Sequence, residues 1–223
     1  MAFDPTHVGM IALDLDGTLE DSRDDMVAAV QRVRVKFGLN PGEPASFRDH
    51  VNRGMPHLYR ECFAEFLAGG GDYADVASTY TRDYSAHIAD VTRLYDGMAD
   101  AIETLAGIAP LAIVTNKPDG LSRLLLRTLG VEHHFAVVVG GDTCSEAKPT
   151  PTPLLYACER VGASPESAFM VGDSGGDVAC GRAAGTRVIW CAWGYKDAPG
   201  PRAPDATANH PCELAEIVRR LAS

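Results

Sequence analysis

The chain has 223 residues, of which 46% are hydrophobic and 22% charged, the balance of an ordinary soluble globular protein. The formal net charge of −10 argues against a nucleic-acid partner, because affinity for a phosphate backbone comes mainly from Lys and Arg. Six cysteines without a CxxC pair argue against zinc and indicate reduced thiols in a cytoplasmic protein. We expect no membrane segment, because Asp14 and Asp16 interrupt the first apolar run.

The first predicted element is a buried strand over residues 8–13, which ends in the polar run Asp14-Leu15-Asp16-Gly17-Thr18. Side chains two residues apart in an extended strand point to the same side. Asp14 and Asp16 are therefore predicted to face one site.

The next segment has a helical pattern without a strand signal. Ser22 and Asp25 resemble a capping box at the start of a helix, and further helical stretches are predicted around residues 47–52, 58–67 and 73–88. We predict a compact all-helical domain over residues 21–92, inserted after the first strand.

From about Tyr95 onward, strand and helix patterns alternate. Strands are predicted over residues 111–114, 136–139, 168–171 and 187–191, and helices over 118–129, 153–161 and 177–184. Residues 198–208 are predicted to form a loop before a last helix over 212–221. This alternation predicts an α/β fold with a doubly wound parallel sheet, formed by residues 1–20 and 93–223.

Polar residues gather where the predicted strands end, the edge at which open parallel sheets bind ligands. They are Asp14, Asp16, Thr18, Thr115, Asn116, Asp173 and Asp177, and Lys148 follows the third strand. A turn or a helix cap would explain one such aspartate alone, whereas the whole set favours a functional site. Neighbouring carboxylates need a cation, and Asp14 with Asp173 suits Mg²⁺.

Four motifs in order resemble those of the haloacid dehalogenase-like (HAD) hydrolase superfamily. They are residues 14–19, residues 114–116, Lys148-Pro149, and residues 172–177. The helical insertion resembles the small helical cap of that superfamily. The rest of the chain resembles the Rossmann-like core of the superfamily. Residues 95–97, 115–118 and 139–142, with Gly194-Tyr195, most resemble the phosphoglycolate phosphatase group.

The resemblance implies a role for each motif. Asp14 would be the nucleophile that forms an aspartyl phosphate, and Asp16 the general acid and base. Mg²⁺ would be held by Asp14, Asp173 and the backbone carbonyl of Asp16. Lys148 would neutralise Asp14 and the charge on the transferred group.

The remaining motif residues would bind phosphate or support these groups. Thr115 and the Asn116 N–H would hold phosphate oxygens, although a helix cap is an alternative role for Thr115. Thr18 and Asp177 would support the metal ligands and Lys148, although Asp177 also suits the start of a helix. In the helical segment, a break between predicted helices carries Asn52, Arg53, Gly54, His57 and Arg60. Arg53 or Arg60 could meet a carboxylate or a second phosphate of the substrate, although a solvated arginine is the simpler interpretation of either one.

The resulting hypothesis is a phosphatase for a small phosphorylated metabolite, with phosphoglycolate as the first candidate. A sugar-phosphate phosphatase or a phosphomutase of the same superfamily is the alternative. An alternative of another class is a phospho-aspartate signalling domain. The protein is expected to be a monomer or a homodimer.

Overall fold

The computed structural model describes residues 8–51, 53–196 and 198–223. The chain forms two compact units. One unit is Ser22–Arg93, and the other combines the residues up to Asp21 with Leu94–Ser223. The sequence had placed the two divisions after residues 20 and 92.

The smaller unit is helical. Its helices are α1 (Arg23–Lys36), α2 (Arg48–Val51), α3 (Met55–Cys62), α4 (Ala64–Ala68) and α5 (Tyr73–Ala86). α1 and α3 both pack against α5. Leu58, Phe63, Tyr80 and Tyr84 are fully buried and fill the space between these helices. No strand occurs among the described residues of this unit, as predicted.

The capping box predicted at the start of α1 is wrong. The Ser22 side chain makes no capping hydrogen bond. The Asp25 carboxylate instead accepts hydrogen bonds from the backbone N–H of Val91 at 3.1 Å and from the N–H and hydroxyl of Thr92 at 2.8 and 2.6 Å. These partners lie more than sixty residues further along the chain, so the start and the end of the helical unit are joined by one buried carboxylate.

The larger unit is built on a parallel sheet. Its strands are β1 (Met10–Leu13), β2 (Leu111–Val114), β3 (Phe135–Val139), β4 (Ala168–Gly172), β5 (Arg187–Cys191) and β6 (Ala206–Ala208), in the order β3-β2-β1-β4-β5-β6. This is the strand order of a doubly wound fold, so the predicted fold class is confirmed.

The loop predicted over residues 198–208 is wrong at its end, where β6 pairs with β5 through Ile189 and Ala206. The Asp205 carboxylate accepts the N–H of Val188 at 2.7 Å, and Arg182 pairs with Asp205 at 2.8 Å. A strand of three residues has no detectable alternation of its own. Its conformation is set by the neighbouring strand.

Five α-helices among the described residues complete this unit, namely α6 (Met98–Ala106), α7 (Asp119–Thr128), α8 (Thr152–Val161), α9 (Gly175–Ala184) and α10 (Leu214–Ala222). On one sheet face, Met10 and Ala12 of β1 share a buried cluster with residues of α8 and α9. Ile11 and Leu13 alternate to the other face and are also fully buried, so both faces are covered. No helix in the described part of the chain is long and apolar enough to cross a membrane.

The sheet is wound in opposite directions on either side of the β1–β4 pair. These two strands are in register from Met10 with Ala168 to Leu13 with Val171. The residues that follow Leu13 and Gly172 are therefore brought side by side. Crevices of this kind, beyond the carboxyl ends of the strands, are where doubly wound sheets bind ligands.

Candidate active site

Three buried aspartates meet at this switch point. Asp14 follows β1 directly, and its N–H donates to the carbonyl of Val171 at 2.9 Å. Asp173 follows β4, and Asp177 lies in the first turn of α9. One carboxylate oxygen from each of Asp14, Asp173 and Asp177 lies within 4.8 Å of the others.

Lys148 lies beside two of these carboxylates. Its Nζ is 2.7 Å from Asp14 Oδ1 and 2.6 Å from Asp177 Oδ1, and it also donates to the Val114 carbonyl at 2.7 Å. The Asn116 side chain accepts the Lys148 N–H at 3.1 Å and donates to the Lys148 carbonyl at 3.0 Å. Asn116 thus holds the loop that carries Lys148, a role that the sequence analysis missed.

Asp177 occupies both of its carboxylate oxygens. Oδ1 receives Lys148, and Oδ2 accepts the N–H and hydroxyl of Ser174 at 2.9 and 2.6 Å. Ser174 Oγ accepts the Asp177 N–H in return, which completes a capping box. Asp177 therefore stabilises the first turn of α9 and orients Lys148 at the same time, so the two roles considered for it are compatible.

Asp173 is held by backbone and side-chain donors. Its Oδ2 accepts the Tyr195 N–H at 2.7 Å, and Thr18 Oγ1 lies 3.4 Å from its Oδ1. Trp190 Nε1 donates to the Asp173 carbonyl at 2.8 Å, and Trp193 Nε1 donates to the Thr18 carbonyl at 3.1 Å. Both indoles thus fix the backbone of the site.

Two glycines allow the chain to approach Asp173 closely. A Cβ atom at Gly194 would lie 2.2 Å from the Asp173 Cβ, and one at Gly17 would lie 2.6 Å from Asp173 Oδ2. Gly17 also has a φ of +87°, which disfavours other residues. The loop after β1 and the loop after β5 therefore both require glycine at the point where they enclose Asp173.

The site has too little positive charge for its carboxylates. Burial and the charge of Asp177 raise the pKa of Asp14 to about 7, although Lys148 opposes the rise. Burial and Asp177 likewise raise the pKa of Asp173 to about 6. Burial alone would lower the pKa of Lys148, but Asp14 and Asp177 raise it above its ordinary value, so Lys148 stays charged. Three buried carboxylates share one ammonium group, so a divalent cation would bring the net charge of the site closer to zero.

Asp16 has a separate partner. Its carboxylate forms an ion pair with Nζ of Lys117, whose side chain is only 2% exposed, against 19% for Asp16. Glu20 follows on the same turn and forms a backbone bridge with Asp16. Glu20 is completely buried, and neither of its carboxylate oxygens has a hydrogen-bond partner among the described residues. Burial, and then the charge of Asp16, raise the pKa of Glu20 well above its ordinary value, against the effect of Lys117.

The sequence analysis missed both Lys117 and Glu20. Lys117 directly follows the phosphate-binding motif, and Glu20 is a charged residue four positions after Asp16. The position of Lys117, next to that motif, was the signal that could have identified it as a functional residue, although a lysine in a loop is ordinarily solvated. Nothing in the sequence indicates that the Glu20 side chain turns inward.

Thr115 is buried at the end of β2. Its N–H donates to the Val139 carbonyl at 3.0 Å, and its Oγ1 accepts the Lys117 N–H at 3.2 Å. The alternative role as a helix cap is wrong, because α7 begins at Asp119 with Pro118 as its cap residue. The Thr115 hydroxyl still has its own proton to donate to a phosphate oxygen.

A family model described as haloacid dehalogenase-like hydrolase matches residues 11–191. The chain belongs to this family. A phosphoglycolate phosphatase from Chromobacterium violaceum is 37% identical over 217 residues, which cover 96% of this chain and 97% of that protein. The family and the group predicted from the motifs are therefore confirmed, as is the prediction of an enzyme of this phosphatase group.

Two further similarities bear on substrate and fold. An N-acetylmuramic acid 6-phosphate phosphatase from Pseudomonas aeruginosa is 31% identical to this HAD-like hydrolase, with 94% of each chain covered. A crystal structure from Haemophilus somnus, described as a predicted phosphoglycolate phosphatase, is 24% identical and has a TM-score of 0.85, with 95% of this chain and 98% of that chain covered. The structural similarity supports the fold alone.

Arg53 and Gly54 lie in the helical unit of this HAD-like hydrolase. Arg53 is exposed in the turn between α2 and α3, and Gly54, with a φ of +85°, directly precedes α3. His50 and His57 on either side of this turn are joined by a 3.1 Å contact between Nδ1 and Nε2. Asn52, which the sequence grouped with Arg53, lies outside the described residues.

Proposed function

We propose that this protein is a magnesium-dependent phosphatase that hydrolyses a small phosphomonoester through an aspartyl phosphate on Asp14. The observation that carries the proposal is the position of Asp14. It lies at the switch point of the sheet, 2.7 Å from Lys148 and within 4.8 Å of two further carboxylates. The similarity to phosphatases over nearly the whole chain supports the same reaction.

In the first step, a carboxylate oxygen of Asp14 attacks phosphorus and the bond to the leaving oxygen breaks. Asp16 enters this step as the neutral acid and gives its proton to that oxygen, so an alcohol departs, Asp16 is left as a carboxylate and Asp14 carries the phosphoryl group. Lys148 and Thr115 supply an ammonium group and a hydroxyl that stabilise the negative charge on the phosphoryl oxygens.

In the second step, water attacks the phosphorus of the aspartyl phosphate and loses a proton to Asp16. The bond between phosphorus and the Asp14 oxygen breaks, which releases phosphate and restores both carboxyl groups to their starting forms. A single carboxyl group thus acts as acid and then as base, which requires that it reach both the departing alcohol and the incoming water.

The residues present fit a magnesium ion. Asp14 and Asp173 would hold it together with the Asp16 carbonyl, because both Asp177 oxygens already have partners. When bound, the ion would supply the positive charge that the three carboxylates lack and would draw the phosphate toward Asp14. Hard oxygen ligands without sulfur or imidazole favour Mg²⁺ over zinc.

Phosphoglycolate is the first substrate to test, because a relative at 37% identity carries that name. A sugar 6-phosphate is the second candidate, because a relative at 31% identity is named for one. A screen of kcat/KM over phosphoglycolate, sugar phosphates, nucleotides and pyrophosphate distinguishes them. A phosphomutase would return the phosphoryl group to a sugar, so free phosphate would not accumulate.

The test of the mechanism is to trap the phosphorylated protein. The wild type is mixed with ³²P-labelled substrate and Mg²⁺ and quenched in acid, and we expect label on the protein together with many turnovers. Asp14→Asn should lose both label and turnover while keeping the wild-type circular dichroism spectrum. Asp142→Asn is the matched control, since Asp142 also follows a strand but is exposed and accepts only the Asp119 N–H in the described contacts.

Three results would oppose the proposal. Turnover by Asp14→Asn would exclude Asp14 as the nucleophile. Label that persists after one turnover, without release of phosphate, would favour a phospho-aspartate signalling domain. Full activity in EDTA would exclude the dependence on Mg²⁺.

Arg53 is proposed to bind an acidic group of the substrate. If it does, Arg53→Ala should raise KM for phosphoglycolate and leave kcat nearly unchanged, because a bidentate contact to a distant carboxylate is the same in the ground and transition states. Arg60→Ala is the control, since the Arg60 guanidinium stacks on Tyr73 within the helical unit, 5.9 Å from the ring centroid. An unchanged KM for Arg53→Ala would remove the role.

A further inference from the structure

We propose that Lys117 is a positioning residue for Asp16, and that its buried ammonium group holds the acid/base carboxylate toward the leaving oxygen. The proposal rests on the proposed function, because it assigns Asp16 the proton transfers of that reaction. It adds a residue that none of the four motifs includes.

Lys117 is placed with little freedom. Its N–H donates to Thr115 Oγ1 at 3.2 Å, its carbonyl accepts the Gly141 N–H at 2.9 Å, and the Ser122 hydroxyl donates to the same carbonyl at 3.2 Å. Both sides of the peptide are therefore anchored in the loop between β2 and α7. Because the backbone is fixed, the lysine side chain has a defined starting point from which to reach Asp16.

The burial of Lys117 indicates that its ion pair with Asp16 is a fixed part of the folded structure. A lysine in a loop usually keeps its ammonium group in water. Burying that charged group costs several kcal/mol of free energy unless a nearby carboxylate compensates its charge. The Lys117 side chain is 2% exposed and pairs with Asp16, which is itself 19% exposed. The lysine is thus the buried partner, and the aspartate is the more exposed one.

Glu20 lies on the same turn as Asp16. It is completely buried, its backbone pairs with that of Asp16, and its carbonyl accepts the Gly17 N–H at 2.9 Å. Because burial, and then the charge of Asp16, raise the pKa of Glu20 well above its ordinary value, Asp16 is the carboxylate that compensates Lys117. If Lys117 left Asp16, its buried ammonium group would lose the carboxylate that compensates it.

Fixing Asp16 matters for the reaction because a free aspartate side chain rotates about two bonds. Proton transfer requires the carboxyl oxygen within hydrogen-bond distance of the leaving oxygen, and misplacement by about 1 Å can lower the rate about 100-fold. Substrate binding by Lys148, Thr115 and the cation does not use this contact. Loss of Lys117 should therefore lower kcat and leave KM nearly unchanged.

The decisive test compares two leaving groups. An alkyl phosphate such as phosphoglycolate needs the acid in the first step, whereas p-nitrophenolate departs without a proton. For Lys117→Met with phosphoglycolate, we expect kcat to fall about 100-fold and KM to change less than about threefold. With p-nitrophenyl phosphate, the same variant should release about one equivalent of nitrophenol in a rapid burst before a slow phase, because hydrolysis of the aspartyl phosphate still needs Asp16.

Two variants separate position from stability. Lys117→Arg keeps a cation near Asp16 and should recover part of the lost kcat. Lys36→Met is the matched control, because it removes a lysine–aspartate pair of 2.5 Å to Asp83 inside the helical unit. This control should leave the ratio of the first-turnover rate constants for phosphoglycolate and p-nitrophenyl phosphate unchanged.

The quantity that decides the proposal is the ratio of the first-turnover rate constants for the two substrates. It does not depend on the amount of folded enzyme, so it remains informative if Lys117→Met is less stable. An equal loss for both substrates in the first turnover, or no loss for either, would overturn the role of Lys117. A wild type that hydrolyses neither substrate would instead overturn the proposed function.

Discussion

The excess of buried negative charge predicts that the cation-free protein loses stability as the pH rises. Asp14 has a pKa of about 7 in the folded protein against an ordinary value of 3.8, and Asp173 has a pKa of about 6. At a pH between the ordinary pKa of 3.8 and the folded-state pKa of each group, the folded state binds more protons than the unfolded state. The stability contributed by these groups is therefore complete below about pH 4 and is lost as the pH rises through 6 and 7.

The expected size of the effect follows from the Asp14 value. A rise from 3.8 to about 7 is roughly three pH units, or about 4 kcal/mol of unfolding free energy as an upper estimate. Whole domains are stable by only about 5–15 kcal/mol, so this is a large fraction. For a chain of this size, about 1 kcal/mol shifts Tm by roughly 2–4 °C, so a shift of several degrees is expected.

Thermal unfolding followed by circular dichroism, in EDTA and in excess Mg²⁺, measures this effect. In EDTA, Tm should fall from pH 5 to pH 8, and Mg²⁺ should raise Tm at pH 8 much more than at pH 5, because the cation competes with protons for the same carboxylates. Asp173→Asn should weaken both trends, whereas the control Asp142→Asn should show them unchanged. A Tm in EDTA that stays constant or rises toward pH 8 would refute the reasoning.

Three further predictions concern the residues around the site. Asp177→Asn should lower kcat at least about tenfold with little change in KM, because Lys148 loses the contact that orients it; steady-state kinetics with a wild-type kcat would contradict this. Gly194→Ala should weaken Mg²⁺ binding in calorimetry, because its Cβ would lie 2.2 Å from the Asp173 Cβ; wild-type affinity would show that the loop yields easily. Trp190→Phe should lower the unfolding free energy in urea by about 1 kcal/mol, since the Asp173 carbonyl loses its indole donor; an unchanged value would mean that the hydrogen bond is replaced.

The sequence determined the sheet and the main acids of the site. Buried parallel strands are apolar runs without alternation, so five of the six strands were found within two residues of their observed ends. Asp14 and Asp173 were found because each directly follows such a run, where the chain emerges at the edge of the sheet. These features are local, and a local pattern is enough to predict them.

The tertiary structure decided which side chains meet across long stretches of chain. Asp25 looked like part of a local capping box but binds Thr92, because a buried carboxylate is satisfied best by several donors at once. The backbone N–H of Asn116 was predicted to bind phosphate, and the structure adds that the Asn116 side chain holds the Lys148 loop thirty-two residues away.

The ion pair of Asp16 with Lys117 joins residues 101 positions apart. The sequence identifies the two charges but not their contact. Whether a lysine is solvated or buried depends on the carboxyl groups that the folded chain places around it, and that free energy is not encoded in the residues next to it. The sequence alone therefore determined which residues the proposed chemistry depends on, and only the folded chain decided which of them meet.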